Sequence, residues 1–187
     1  MKPVRSVYLA GPDVWFPNAA AHCQTRQERV TAAGLIPIDP FDTLPPMPEA
    51  SELTARQLYA QRMAALRTAD AVLANLTPWR GVGADPGTAF EVGVAAALGK
   101  PVVAYMNVAE DEDADHVDRV GALFGLVQDE AGVLRDSWGL QVEDFGLPET
   151  AMLWAETRKL YVVVTPELYG DLSGFDLALA ALSAYAA

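Results

Sequence analysis

A single carboxylate stands inside an apolar stretch of the chain. Glu91 is the only charged residue between Pro86 and Gly99, and most of its neighbours there are Ala, Val, Phe or Leu. A helix that is apolar on nearly every side is usually buried, and a buried carboxylate is costly unless it is paired or neutralised. Glu91 could be a structural carboxylate bonded to a distant Arg or to backbone, or a functional group beside a ligand.

The flanking residues predict that a short helix carries Glu91. Asp85 can cap this helix, Pro86 suits its first position, and the Gly-Lys-Pro sequence over 99–101 ends it. The residues that share the face of Glu91 are mostly small and include no Lys or Arg, which leaves room for a ligand. They are Gly87, Thr88, Val94 and Ala95.

Strand-like and helix-like segments alternate along the chain. Apolar runs predict strands at 4–10, 35–38, 71–76, 101–106 and 161–164, and helical spacing predicts helices over 18–33, 51–68, 86–99, 148–157 and 175–185. Residues 43–48 are a proline-rich loop, the acidic run over 110–118 predicts a solvated loop or an exposed helix, and the stretch from there to 139 is turn-rich. The alternation favours an α/β fold, with an open parallel sheet flanked by helices, as a single domain over 1–187.

Composition limits the partners of the chain. A net charge of -12 with only 13 Lys and Arg residues argues against binding to a nucleic-acid backbone, so a small-molecule ligand is expected. The sequence shows no apolar run of membrane-spanning length and no signal-peptide core at its start, so a cytoplasmic location is expected. Cys23 is the sole cysteine, which excludes an internal disulfide and a thiolate cluster for zinc.

In an open parallel sheet, the loops after the strands are the candidate ligand sites. The loop over 11–18 contains neither GxGxxG nor a lysine-bearing phosphate loop, so dinucleotide binding and triphosphate hydrolysis are not expected. The acidic run over 110–118 lacks the spacing of a calcium loop, and no metal is predicted. Trp79, in the loop over 77–85, could cover a flat ligand or simply pack over the sheet edge.

Four motifs occur in an order that is typical of one family. They are Tyr8-Leu9-Ala10-Gly11-Pro12, ADAVLANLTP over 69–78, DPGTAFEVG over 85–93 with GKP over 99–101, and VEDFGLP over 142–148. Each motif is weak alone, but their joint order and spacing extend over most of the chain. The chain resembles the nucleoside 2-deoxyribosyltransferase family. The resemblance implies a flavodoxin-like fold and the cleavage of an N-glycosidic bond, with no metal or organic cofactor.

The resemblance also implies roles for three residues. Glu91 would be the nucleophile, attacking the anomeric carbon of a 2-deoxyribonucleoside to form a covalent deoxyribosyl ester that a second base displaces with net retention. Asp85 would protonate the leaving base and deprotonate the incoming one. Tyr8 would hydrogen-bond and orient Glu91, although a core tyrosine is the alternative. This chemistry requires that the two carboxyl groups differ in their tendency to hold a proton.

Further residues are expected to bind the substrate. They are Gly11, Asp13, Trp15, Asn75, Thr77, Trp79, Gly87 and Thr88. Asn75 and Thr77 would line the site at the end of the third strand, and Asp13 and Trp15 would contact sugar or base. Asp70, just before that strand, is expected to have a structural role instead.

Two substrate-binding positions depart from the family pattern. Arg62 stands where members usually have Asp or Asn for base recognition, and a guanidinium cannot accept a hydrogen bond from a base amino group. Thr150 replaces an amide in a segment that reaches into a neighbouring subunit's site, whereas Met152 keeps its place there. The resemblance therefore implies a dimer-based homo-oligomer, such as a hexamer, with sites shared between subunits.

Three functions are compatible with these residues. The leading hypothesis is transfer of the 2-deoxyribosyl group between nucleobases. The second is a nucleoside or nucleotide 5-monophosphate N-glycosidase, in which water resolves the same ester and Arg62 contacts a 5-phosphate. The third is a nucleotide-binding module that keeps the fold without turnover.

Overall fold

Five parallel strands form the main sheet of the protein. The structure, a computed structural model, describes residues 3–43 and 50–184. The strands are β1 (Ser6–Ala10), β2 (Ile36–Ile38), β3 (Ala71–Asn75), β4 (Val102–Val108) and β7 (Lys159–Val164). Their order in the sheet is β2-β1-β3-β4-β7, and every adjacent pair is parallel. This is the flavodoxin-like strand order, so the predicted fold class is confirmed.

Six α-helices accompany these strands in the part of the chain that the structure describes. They are α1 (Ala19–Ala32), α2 (Glu52–Thr68), α3 (Pro86–Ala97), α4 (His116–Phe124), α5 (Ala151–Glu156) and α6 (Ser173–Ser183). The start of α2 follows the sequence, because the Ser51 hydroxyl accepts a hydrogen bond of 3.1 Å from the Thr54 amide and caps the helix. No helix within 3–43 or 50–184 is long and apolar enough to cross a bilayer.

The stretch from 107 to 139 contains more regular structure than its composition predicts. Helix α4 begins within the acidic run, for which an exposed helix was one of the two expectations, and it continues into the turn-rich stretch. An antiparallel hairpin of β5 (Leu126–Gln128) and β6 (Leu134–Asp136) lies where only turns were expected. These strands have three residues each, too few for an alternating pattern to stand out in sequence. Residues 44–48 of the predicted proline-rich loop and Tyr185 at the predicted end of α6 lie outside the described residues.

Alternation along β1 decides which side chains can meet. Val7 and Leu9 belong to the buried cluster that includes Val30 of α1 and Phe175 of α6. Tyr8, one residue out of step with them, belongs to the cluster on the opposite side of the sheet, with residues of α2 and α3. Because side chains alternate between the faces of a strand, the fold turns Tyr8 toward the helices that carry Arg62 and Glu91.

Asp70 joins the start of β1 to the start of β3. Its Oδ2 accepts hydrogen bonds of 3.1 Å from the Arg5 amide, the Ser6 amide and the Ser6 hydroxyl. The Asp70 amide in turn donates to the Ser6 hydroxyl oxygen at 3.1 Å. These bonds give the residue the structural role that its position before a strand suggested.

Replacing Asp70 by Ala is therefore expected to destabilise the fold. The change removes an ionised acceptor from three donors, so the free energy of unfolding should fall by about 2 kcal/mol. Urea titration of the wild type and the D70A protein measures the change. D144A, which removes a carboxylate from an exposed loop, is the matched control and should stay close to wild type; equal loss in both variants would contradict the assignment.

Candidate active site

A hydrogen bond between Tyr8 and Glu91 lies at the centre of the candidate site. The Tyr8 hydroxyl donates to Glu91 Oε1 at 2.7 Å. Tyr8 lies two residues before the carboxyl end of β1, and Glu91 lies in the second turn of α3. Both residues are buried, with exposures of 0% and 5%. The structure therefore gives the buried carboxylate a side-chain partner from a distant part of the chain, which is compatible with both a structural and a functional role of Glu91.

Arg62 brings a positive charge to the same carboxylate. It extends from α2, and its Nη1 lies 4.0 Å from Glu91 Oε1. On another side, its guanidinium carbon lies 5.8 Å from the ring centroid of Trp15, whose side chain is about half exposed. The partner that Glu91 lacked within its own helix thus comes from a residue 29 positions earlier in the chain, on a neighbouring helix.

The protonation of Glu91 is set by opposing effects. Burial raises its pKa, the hydrogen bond from Tyr8 and the charge of Arg62 lower it, and the nearby charge of Asp85 raises it, which leaves the pKa at about 7. Burial and the charge of Glu91 together raise the pKa of the Tyr8 hydroxyl far above its usual range, so Tyr8 stays protonated and remains a donor. Near neutral pH, Glu91 is therefore poised between its two protonation states.

Asp85 caps the helix that carries Glu91. Its Oδ2 accepts hydrogen bonds from the Thr88 amide at 2.8 Å and from the Thr88 hydroxyl at 3.1 Å. A Cβ atom at Gly87 would lie 2.9 Å from this Oδ2, so a glycine leaves the carboxylate its space. Thr88 and Gly87, both predicted to bind substrate, act here on the position of Asp85. Asp85 is half-buried, in contrast to Glu91.

Asp13 lies in a buried polar network beneath the loop after β1. Its oxygens are 2.6 Å from Arg26 Nη1 and 2.8 Å from His22 Nε2, and Asn75 Nδ2 donates to both of them. Burial alone would raise the pKa of Asp13, but the Arg26 charge and the hydrogen bond from His22 hold it well below its usual range. Arg26 also pairs with Asp39 at 3.2 Å. A ligand contact to Asp13, as the sequence predicted, would have to displace one of these partners.

Asn75, Thr77 and Gly11 hold this network to the ends of the strands. Asn75 Oδ1 accepts from the Thr77 amide at 3.1 Å, and the Thr77 hydroxyl accepts from the Asn107 amide at 3.1 Å. A Cβ atom at Gly11 would lie only 2.1 Å from Asp13 Oδ2. Asn75 and Thr77 are buried, so the structure places these two predicted contacts below the surface of the site, whereas Gly11 is partly exposed.

The loop before Asp85 is braced by two residues that sequence reasoning did not select. Glu149 is buried and accepts a hydrogen bond of 3.1 Å from the Ala84 amide. Arg119 donates to the Val82 carbonyl at 2.7 Å and also to the carbonyl of Pro148. Arg119 directly follows the acidic run, which masked it as one more member of a charged surface segment.

Trp79 packs against other aromatic side chains. Its ring lies 5.9 Å from that of Phe16 and 5.6 Å from that of Tyr169, and the guanidinium of Arg80 lies 5.1 Å from its centroid. The sequence left open whether Trp79 covers a flat ligand or packs against the protein. These contacts show that it packs against the protein.

Thr150 and Met152 lie on the far side of α3 from Glu91. They line a groove of about 700 Å³ together with Ala89, Gly93 and Ala96, which helical geometry places opposite Glu91. Met152 is 82% exposed. Within one chain, the structure therefore does not bring these two predicted contacts to the Tyr8–Glu91 pair.

Comparison with known proteins places this arrangement in a family. The sequence profile described as Nucleoside 2-deoxyribosyltransferase matches residues 7–152, a span that contains Tyr8, Arg62, Asp85 and Glu91. The chain belongs to the nucleoside 2-deoxyribosyltransferase family. Membership supports an activity of the nucleoside 2-deoxyribosyltransferase type, and the predicted family is confirmed.

Two solved structures share the fold of this chain. A 2-desoxiribosyltransferase from Leishmania mexicana superposes with a TM-score of 0.67 at 26% identity, covering 97% of this chain and 98% of the other. A conserved protein from Enterococcus faecalis V583 shares the fold, with a TM-score of 0.55 at 15% identity over 95% of this chain and 98% of its own. A search of curated proteins gives no match to the chain.

The raised pKa of Glu91 predicts a cost in stability for this member of the nucleoside 2-deoxyribosyltransferase family. Burial raises the pKa of Glu91 from 4.5 to about 7, so folding favours the protonated carboxyl. The resulting loss in the free energy of unfolding is absent below pH 4.5 and grows as the pH rises toward 7. Above pH 7 it reaches its full value of about 3 kcal/mol. E91Q, a neutral residue of the same size, should consequently be more stable than wild type at pH 8 and little different at pH 4.5.

Urea unfolding at both pH values measures that difference. E130Q removes the same charge from an exposed turn and serves as the control. A stability difference between E91Q and wild type that stays constant from pH 4.5 to 8 would show that Glu91 is not held in a raised-pKa environment.

Proposed function

We propose that the protein transfers the 2-deoxyribosyl group between nucleobases through a covalent ester on Glu91, with net retention at the anomeric carbon. The observation that carries the proposal is a buried carboxylate held at 2.7 Å by a tyrosine hydroxyl, in a chain of this family. The 2-desoxiribosyltransferase of Leishmania mexicana, which this chain resembles over nearly its whole length, supports the reaction type.

In the first half of the reaction, Glu91 attacks the anomeric carbon. Tyr8 and Arg62 both approach Oε1, so we assign the attack to Oε2. The new ester bond forms as the glycosidic carbon–nitrogen bond breaks, and its electron pair leaves with the base. Asp85 supplies the proton that makes the departing nitrogen a better leaving group. Because both hydrogen bonds from Thr88 end on Oδ2, we assign the proton transfer to Oδ1 of Asp85.

In the second half, a different base displaces the ester. A ring nitrogen of the incoming base attacks the anomeric carbon, the ester carbon–oxygen bond breaks, and Glu91 leaves as a carboxylate. Asp85 takes up the proton that the incoming nitrogen loses. Two inversions restore the original configuration, as in retaining glycosidases. Water in place of the second base would yield free 2-deoxyribose instead.

The raised pKa of Glu91 has two opposing effects on its attack at the anomeric carbon. At a pKa of about 7 the ionised carboxylate is a more basic and stronger nucleophile than an ordinary glutamate, but less of it is ionised at a given pH. Tyr8 and Arg62 moderate this conflict, because both favour the ionised form. Their contacts thus support a nucleophilic role better than a purely structural one.

We further propose a homo-oligomer in which the segment of Thr150 and Met152 completes the site of a neighbouring subunit. Two features support this. Met152 is 82% exposed, although it is apolar. It also lies across α3 from the Glu91 of its own chain, in the groove along that helix.

Base exchange is the direct test of the proposed reaction. Incubation with 2-deoxyadenosine, 2-deoxyinosine or 2-deoxycytidine and a different free base should give the new nucleoside as the β anomer, with ping-pong kinetics. E91Q should lower kcat by at least about a thousandfold because it removes the nucleophile, and D85N by about a hundredfold or more. Chromatography and NMR of the products measure both outcomes.

The base-exchange assay also separates the competing functions. Release of free 2-deoxyribose at the same rate with and without an acceptor base would make the protein a hydrolase. Unchanged turnover in E91Q would remove Glu91 from the mechanism. Thr25 lies on α1, across the sheet from α3, and its hydroxyl donates to the Ala21 carbonyl of its own helix at 2.9 Å, so T25A offers a control variant with expected wild-type kinetics.

The pH dependence of catalysis tests the role of Tyr8. With Glu91 required as a carboxylate, kcat/KM should fall as the pH drops below about 7. Y8F keeps the ring but removes the hydrogen bond that lowers the pKa of Glu91, so this acid limb should move to higher pH. Initial rates from pH 5 to 9 measure the limb. An acid limb at the same pH in Y8F and wild type would contradict the proposed contact.

A further inference from the structure

Arg62 reaches the site with donors that nothing in the described chain uses. Its Nε and Nη2 are buried, and neither has a hydrogen-bond partner among the residues of 3–43 and 50–184. Its Nη1 lies 4.0 Å from Glu91 Oε1. Buried N–H groups without partners cost free energy, so a site that keeps two of them beside its central carboxylate is suited to a ligand that supplies acceptors.

The two unused donors lie on one edge of the guanidinium. The planar group is rigid, and Nε–H and Nη2–H project side by side from it as a fork. A fork of this kind binds two adjacent acceptor atoms at once. Among nucleobases, the O6 and N7 atoms of guanine and hypoxanthine form such a pair, and it is the pair that arginine most often recognises. Adenine offers N7 but places an amino donor beside it.

Trp15 favours a flat ligand over a phosphate at this fork. The guanidinium carbon lies 5.8 Å from the Trp15 ring centroid, and the ring is 48% exposed. A base that forms two hydrogen bonds with a guanidinium lies close to its plane, so it can extend the contact of Arg62 with the indole by stacking. A tetrahedral phosphate has no face to stack.

We infer that Arg62 makes this site selective for 6-oxopurines, so that hypoxanthine and guanine nucleosides are used in preference to adenine nucleosides. The inference rests on the proposed function, because it takes the ligand beside Glu91 to be a nucleoside. Arg62 is a specificity residue in this scheme: Nε and Nη2 bind O6 and N7 of the base, while Nη1 stays beside Glu91.

The test compares kcat/KM for 2-deoxyinosine and 2-deoxyadenosine, with cytosine as the common acceptor. Wild type should prefer 2-deoxyinosine by roughly 10- to 100-fold. R62M, which removes the fork, should reduce the ratio to about three or less. R62K is the matched control: it also loses the fork and the preference, but it keeps a positive charge near Glu91, so its acid limb should stay closer to wild type than that of R62M.

Binding to E91Q separates this inference from the proposed reaction. Calorimetry with 2-deoxyinosine and 2-deoxyadenosine needs no turnover, and the same preference should appear there and vanish in the E91Q/R62M double variant. If no base exchange occurs but this binding pattern holds, the inference stands while the proposed reaction fails. Circular dichroism confirms that each variant is folded before it is compared.

Two results would overturn the inference. One is a wild type, or an E91Q protein, that does not distinguish the two nucleosides. The other concerns the 5-monophosphates of the same nucleosides. If R62M leaves the base preference intact but lowers kcat/KM for the monophosphates relative to the nucleosides, then Arg62 reads a phosphate.

Discussion

The hydrogen bond from Tyr8 to Glu91 is the constraint on which the candidate site depends. It requires that a strand and a helix far apart in sequence meet with their polar atoms 2.7 Å apart inside an apolar layer. The strand order supplies this meeting, because β1 and β3 are neighbours and the helix after β3 packs across the same face of the sheet. Asp85 caps that helix at its start, and so helps to fix the position of Glu91 in its second turn.

Buried polar groups support the loops that form the candidate site. Under the first loop, Asp13 bonds to both Arg26 and Asn75 in a buried network, although Arg26 Nε has no partner among the residues of 3–43 and 50–184. Beside the third strand, Glu149 and Arg119 hold the backbone that leads into Asp85. Buried polar groups thus hold two loops of the site in place, the one after β1 and the one before Asp85.

Sequence reasoning recovered the sheet and its flanking helices because each of these elements has a strong local signal. The five apolar runs and the capping residues around α2 and α3 are readable without tertiary information. It also selected Glu91 as anomalous, since one charge in an apolar helix is visible in the sequence alone. The family resemblance supplied Tyr8 as a partner of Glu91, whereas the contact with Arg62 was not predicted from the sequence. That Arg62 lies 4.0 Å away follows from how α2 packs on α3, which no periodicity encodes.

The predicted substrate contacts show a second limit of local patterns. Asp13 and Asn75 are polar residues at strand ends, and sequence position alone gives them the same prospects as Trp15. The structure separates them by depth: the first two are buried in the network, and Trp15 remains half exposed. Whether a loop residue is buried depends on the segments that pack over it. Residues that look equally suited to bind a ligand in the sequence can therefore be told apart only in the folded structure.

The ion pair of Arg62 with Glu91 has a consequence for where charge lies in the proposed intermediate. In the proposed cycle, Glu91 is anionic before it takes the sugar and neutral while it carries the sugar as an ester. Arg62 keeps its charge throughout, because a guanidinium does not lose its proton in a protein. Asp85 becomes anionic at the same time, because it has given its proton to the departing base. The net charge of the site is therefore the same before and after the ester forms, and the first half of the proposed cycle moves the negative charge from Glu91, beside Arg62, to Asp85.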